Sequence, residues 1–362
     1  MSEVARESTS PAAPPTDRVP RETGSATAPA SGASPSGAVP RETVGVPLDP
    51  ATPIGAAAAA AVAARRPGAR RPLPQPATPR HIAVANQKGG VGKTTTAVNL
   101  AAALALHGNR VLVVDMDPQG NASTALGVDP GARSPGTYEV LLGTAALDAV
   151  LVPDAEIENL WCAPASVHLA GAEVELVDQA RREFRLAAAM AELTLEVDYV
   201  FVDCPPSLGL LTLNGLCAVR EVLIPIQCEY YALEGLGQLT SNVGLVTQHL
   251  NPELSISTIL LTMYDARTRL GEQVVDEVRG HFGSTVLTTR IPRSVRVAEA
   301  PGFGRSVVTH EPLSSGAVAY VDAARELAGR DPGASSAAVG GRRSSIDLTD
   351  VPAGTPETGM VP

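Results

Sequence analysis

Five apolar runs of strand length punctuate the middle of the chain: HIAVAN (81–86), RVLVVDMD (110–117), YVFVDCP (199–205), EVLIPIQ (221–227) and STILLTMY (257–264). Each is nearly continuous rather than alternating, and segments of helical length separate them. One such segment is TTTAVNLAAALALHG, whose closing Gly108 marks a helix end. Strands that are hydrophobic on both faces and alternate with helices belong to a parallel sheet covered on both sides. The pattern predicts one α/β domain, doubly wound around a mostly parallel sheet, over about residues 81–330.

The flanks break this pattern. Residues 1–80 are rich in Pro, Ala, Ser, Gly and Thr and too poor in aliphatic and aromatic side chains to offset the entropy of ordering, so they read as a disordered arm. Within it, Thr52 as N-cap, Pro53 at the first helical position and an alanine run ending in Arg65 and Arg66 predict a short helix over 53–66. VPRET occurs at 19–23 and again at 39–43, either as a repeated docking motif or through slippage in low-complexity coding sequence. Residues 331–362 read as a second disordered tail.

Charge is unevenly spread over a formal net of −10: the arm carries nine arginines against six acids, whereas 81–330 carries 17 basic and 28 acidic groups. The folded part is acidic, so any nucleic-acid binding must come from local patches. Cys162, Cys204, Cys217 and Cys228 show no CxxC or metal spacing and no signal peptide precedes them, which points to the cytoplasm. The longest apolar run near the N-terminus, Ala56–Ala64, falls far short of the roughly 20 residues that span a bilayer.

Arginine is the default cation, used 26 times, and the only two lysines are Lys88 and Lys93. Both lie where HIAVAN runs into QKGGVGK and then into a helix. Strand, glycine-rich loop and helix form the context in which backbone N–H groups and a helix N-terminus cradle phosphates. The loop departs from the ordinary G-x-x-x-x-G-K-[ST] pattern, because Gln87 holds the first glycine's place and Lys88 follows at once.

KGGVGKTT resembles the deviant phosphate loop of the ParA/MinD group of ATPases. The resemblance implies ATP and Mg²⁺ as cofactors, and places Lys88, Gly89, Gly90, Val91, Gly92, Lys93, Thr94 and Thr95 around the nucleotide. It implies that Lys93 pairs with the β- and γ-phosphates of its own subunit, that Lys88 reaches across a dimer interface to the other subunit's nucleotide, and that Thr94 ligates Mg²⁺. A compact ammonium on a flexible stem suits both lysine tasks better than a planar fork. A bulkier residue at Gly89 is expected to obstruct the dimer before it obstructs nucleotide binding.

The second run ends in Asp115, Asp117, Gln119 and Asn121, acids at the carboxyl end of a parallel strand where such sheets bind ligands. The family pattern assigns Asp117 to the attacking water; capping of the next helix is the alternative. Asp203 closes the third run in the manner of an acid that holds the Mg²⁺ shell. Cys204 beside it reads as a small buried residue rather than an iron–sulfur ligand. Met263 and Pro292 fall in the family's base-pocket region.

Further strings, GAEVELV (171–177), CEYYALEGLGQL (228–239), LLTMYDART (260–268) and IPRSVRVAEAPGFGRSV (291–307), are similar to the ParA/Soj-type chromosome-partitioning branch, and the match runs from about 82 to 328. It implies an ATP-dependent homodimer, non-specific DNA binding through Arg267 and Arg296 with Arg293 nearby, a ParB-type centromere-binding partner, and a cytoplasmic, nucleoid-associated protein. The alternative for those arginines is simple solvation and pairing with neighbours such as Glu299. MinD proteins share the loop but need a C-terminal amphipathic membrane helix, which the tail lacks, so no membrane insertion is expected. The rival function is a same-fold ATPase that positions another cargo, or a polar or division complex, with the arm reaching a polar scaffold.

Overall fold

The computed structural model describes residues 71–229 and 232–330. The arm up to residue 70, with its helix over 53–66 and both VPRET repeats, and the tail from residue 331 lie outside the described residues.

Eight strands form one sheet: β1 (Arg80–Val84), β2 (Val111–Asp115), β3 (Val152–Pro153), β4 (Leu160–Ala163), β5 (Tyr199–Asp203), β6 (Glu221–Gln227), β7 (Ser255–Tyr264) and β8 (Val286–Pro292). Their order is β3-β4-β2-β5-β1-β6-β7-β8, and only the β3–β4 pair is antiparallel. All five runs expected from the sequence are strands. The three that hydropathy did not mark have physical reasons. β3 is two residues long and β4 four, while edge strand β8 (VLTTRIP) carries a polar stretch that stays half exposed.

The helices are α1 (Lys93–Leu106), α2 (Asn121–Ala125), α3 (Thr137–Leu142), α4 (Leu169–Glu175), α5 (Arg185–Ala191), α6 (Leu210–Cys217), α7 (Ala232–His249), α8 (Arg269–Phe282), α9 (Val295–Glu299), α10 (Val307–His310) and α11 (Ser315–Ala328). Helices α1, α2, α10 and α11 pack on one face of the sheet, and α3 to α8 on the other. Strand β5 shows why both faces are dry: Tyr199 and Phe201 join the first core, Val200 and Val202 the second. Alternation with no polar side is what a doubly covered parallel sheet demands.

Two features fix the domain's ends at one edge of the sheet, where the strands begin. Leu73, in the last part of the Pro-rich segment, is buried, and its N–H donates to the His107 carbonyl at the end of α1 (3.0 Å). Arg80, the first residue of β1, is 4% exposed; it forks onto Glu221 of β6 (2.8 and 2.6 Å) and donates to the Leu327 carbonyl of α11 (2.7 Å). At the opposite edge, where the strands end, register brings the loops after β1, β2 and β5 together: Asp203 stands opposite both Val84 and Asp115.

Candidate active site

The loop between β1 and α1 is held open by its neighbours. The Asn86 amide donates to the Pro225 carbonyl (2.8 Å) while its Oδ1 accepts the Lys88 N–H (3.0 Å), and the Thr262 hydroxyl donates to the Val91 carbonyl (2.8 Å). Gly90 and Gly92 have φ of +75° and +90°, a left-handed region that side chains avoid. The first turn of α1 has no side-chain cap and no acid, so its free N–H groups and positive dipole end face the loop. A Cβ built at Gly89 or Gly90 meets nothing within 4 Å, which leaves the outer side of the loop clear.

The two lysines point to different places. Lys93 is buried, its ammonium donating to the Lys88 carbonyl (3.1 Å) inside the curl of the loop. Burial lowers its pKa, an effect opposed by the nearby Asp203 and Asp117 carboxylates. Lys88 turns outward to Glu229 (2.8 Å), with both side chains more than 40% exposed (42% and 43%). Such a half-solvated pair contributes about 1 kcal/mol or less and can be exchanged for a stronger anion.

Beneath Lys93 lies a group of buried carboxylates. Asp203 is fully buried, and no hydrogen bond of good geometry reaches either of its oxygens, although the Thr94 hydroxyl lies close enough to favour its ionised form. Burial, then the charge of Asp115, pushes its pKa well up. Burial likewise raises Asp115 to about 6 against three hydrogen bonds that favour the charge. Asp117 is nearly buried and accepts the Gln119 N–H (3.0 Å).

An acid left without partners in the interior calls for a cation. No group of three His, Cys, Asp or Glu side chains among the described residues forms a protein cage for a metal. Mg²⁺ keeps waters and takes one or two protein ligands beside phosphate oxygens. Thr94 and Asp203 therefore fit the ion, and Lys93 with the loop N–H groups fits the phosphates. Cys204 is buried, free and crowded by Gly215, which agrees with a packing role.

The remaining expected residues separate into two places. Met263, at φ +51°, and Pro292 lie at the paired ends of β7 and β8, where Tyr264 stands opposite Pro292 and its carbonyl accepts the Arg293 N–H (3.1 Å). Arg267 follows β7, is 88% exposed and forks onto Asp265 (2.9 and 2.8 Å), which pulls the Asp265 pKa down to about 2. Arg293 is exposed just after β8, and Arg296 on α9 pairs with Glu299 (3.1 Å), the neighbour anticipated from sequence. These exposed pairs are weak and leave the guanidinium groups available to phosphate. Asn86, Thr262, Ser123 and Glu229 are the members of the site that sequence reasoning passed over. Asn86 stands next to the loop, and Glu229 and Thr262 lie inside family-like strings, so these three carried a local signal.

Comparison with known proteins agrees with this geometry. A family model described as an AAA domain matches residues 79–256. The chromosome partitioning protein ParA of Myxococcus xanthus is 52% identical over 252 residues, 70% of this chain and 89% of that one. The chromosome-partitioning ATPase Soj of Treponema pallidum is 50% identical over 246 residues, 68% of this chain and 96% of that one. Among solved structures, cobyrinic acid a,c-diamide synthase from Mycobacterium smegmatis with bound ADP and magnesium is 42% identical, with a TM-score of 0.61 over 69% of this chain and 94% of that one. Identity at this level, spread over nearly the whole of the partitioning proteins, means that the chain belongs to the ParA/Soj family of chromosome-partitioning ATPases.

Proposed function

We propose that this ATPase works as a DNA-binding switch whose active site is completed by a second copy of itself. The observation that carries the reading is the division of labour between the two lysines: Lys93 is buried over Asp203 and Asp117, while Lys88 projects from a loop whose outer side is open.

In this reading the loop N–H groups and Lys93 bind the β- and γ-phosphates, with Met263 and Pro292 beside the base. Thr94 and Asp203 hold Mg²⁺, which when bound neutralises charge on the phosphoryl group being transferred. Asp117 orients the attacking water, and Lys88 of the second subunit adds positive charge as the leaving oxygen becomes anionic. Phosphoryl transfer asks mainly for positioning and charge, and both are built from these residues. The two subunits meet on the loop face of the sheet, which brings Lys88 of each to the other's nucleotide.

The ATP-bound dimer then binds nucleoid DNA without sequence preference through Arg267, Arg293 and Arg296. Hydrolysis, stimulated by a ParB-type protein at centromere sites, releases it, and repeated cycles separate replicated chromosomes in the cytoplasm. No helix among the described residues is long and apolar enough to cross a membrane.

The test is binding to random-sequence DNA with ATP, ADP or no nucleotide over a range of salt. Binding is expected only with ATP, to fall steeply with salt, and to be lost in Arg296→Glu. Binding that ignores nucleotide, or fails while ATP is still hydrolysed, would leave the enzyme in place but assign it another cargo, with the arm as its link to a polar scaffold.

A further inference from the structure

Asp115 and Asp203 stand side by side in register on β2 and β5, both buried, yet the protein uses them in opposite ways. Asp203 keeps both oxygens free of hydrogen bonds. Asp115 has both oxygens occupied: Oδ1 accepts the Asp117 N–H (3.1 Å), and Oδ2 accepts both the N–H (2.8 Å) and the hydroxyl (2.6 Å) of Ser123. The Ser123 hydroxyl in turn accepts the Ala165 N–H (3.0 Å) from the loop after β4. Three of this carboxylate's roughly four acceptor sites are taken by the protein itself, so Asp115 is bound into the fold where Asp203 is left open.

We propose that Asp115 is a positioning residue for ATP hydrolysis, which holds Asp117 in place through the backbone on either side of the loop that carries it. The loop from Met116 to Gly120 is anchored at both ends. On one side the Met116 N–H donates to the Asp203 carbonyl (3.0 Å), and within the loop the Gly120 N–H returns to the Asp117 carbonyl (2.8 Å). At its far end the Gly120 carbonyl accepts the Thr124 N–H (2.9 Å) and Arg133 (3.4 Å); the Asp115 carboxylate adds the anchors nearest the reacting group, gripping the N–H of Asp117 itself and, through Ser123, the start of α2. Charge-assisted bonds in a dry interior are stronger and stiffer than neutral ones, so they can hold the water-orienting group to a fraction of an ångström. The Ser123 hydroxyl extends the grip to the loop after β4, so the two loops move together or not at all.

Asp115→Asn replaces one acceptor by an NH₂ donor. Whichever way the amide turns, either Asp117 or Ser123 faces a donor and loses its bond. Ser123→Ala is milder: it removes the hydroxyl link to Asp115 and Ala165 but leaves both backbone N–H bonds to Asp115 intact. Neither change touches Lys93, Thr94 or the phosphate loop.

The inference rests on the reading of Asp117 as the group that orients the water, so the test includes Asp117→Ala. In the full-length protein, steady-state hydrolysis, equilibrium binding of a non-hydrolysable ATP analogue and urea unfolding are measured for all three variants. Misplacement of a catalytic group by about 1 Å costs on the order of 100-fold in rate. Asp115→Asn is therefore expected to lower kcat about 10- to 100-fold and Ser123→Ala about 3- to 10-fold, with KM and analogue affinity within about threefold of wild type. A fall in analogue affinity that matches the fall in kcat, or kcat within twofold of wild type in Ser123→Ala and Asp115→Asn, would overturn the positioning role. If Asp115→Asn does not fold, Ser123→Ala alone decides. An Asp117→Ala variant with wild-type turnover would instead remove the underlying assignment of Asp117, and is read separately from the other two.

Discussion

A Lys88→Ala variant is expected to hydrolyse ATP at least about 100-fold more slowly than wild type while binding a non-hydrolysable ATP analogue within about threefold, the signature of a charge supplied only in the transition state. The Lys88 ammonium is turned outward to Glu229, and the position inside the curl of the loop is taken by Lys93. Removing it therefore leaves binding largely intact. Lys88→Arg is not expected to restore turnover, since a planar fork on a stiffer head does not replace a compact ammonium in a close-packed interface. The measurement is turnover per subunit as a function of protein concentration. Wild-type activity should rise with concentration until the dimer saturates, and the variant should stay low throughout. Wild-type turnover in Lys88→Ala, or turnover per subunit independent of concentration, would mean that each chain works alone.

The largest effect on stability is expected at the other edge of the sheet. Arg80→Ala should lower the free energy of unfolding by about 3–5 kcal/mol, because it strands the Glu221 carboxylate in the interior without its counter-charge. Glu221 is as inaccessible as Arg80 (side chains 6% and 4% exposed), and the bidentate contact is short. The same guanidinium satisfies the Leu327 carbonyl near the end of α11, so one substitution loosens β1, β6 and the last helix together. Replacing both partners by apolar side chains, Arg80→Met with Glu221→Leu, should cost much less than Arg80→Ala alone. Urea unfolding of the three proteins checks this, and equal losses for the single and double variants would show that packing, not the orphaned charge, sets the cost.

The phosphate loop could be read before the structure because its requirements are local. Left-handed backbone at Gly90 and Gly92 demands residues without a Cβ, and the apolar strand before and helix after are continuous in sequence. The five central strands were equally legible, being buried on both faces. What escaped was non-local or partial. Glu221 pairs with Arg80 from 141 positions away, and Thr262 reaches Val91 from 171, so the partner of neither can be read from its own neighbourhood. The positive φ of Met263 is imposed by the geometry where β7 meets β8, not by its residue type. The division between Asp115 and Asp203 was likewise unreadable: both end apolar strands, and only the donors that fold around them tell a structural anion from a metal-facing one.

The anchoring of Leu73 on His107, and of Leu327 on Arg80, has a practical side. Both ends of the folded part are tethered at the base of the sheet, a full strand length from the loop face on which the proposed nucleotide and dimer contacts lie. A reporter fused next to Leu73 or Arg330 would join the described residues at that base. Labelled protein should therefore report on the native cycle rather than a jammed one.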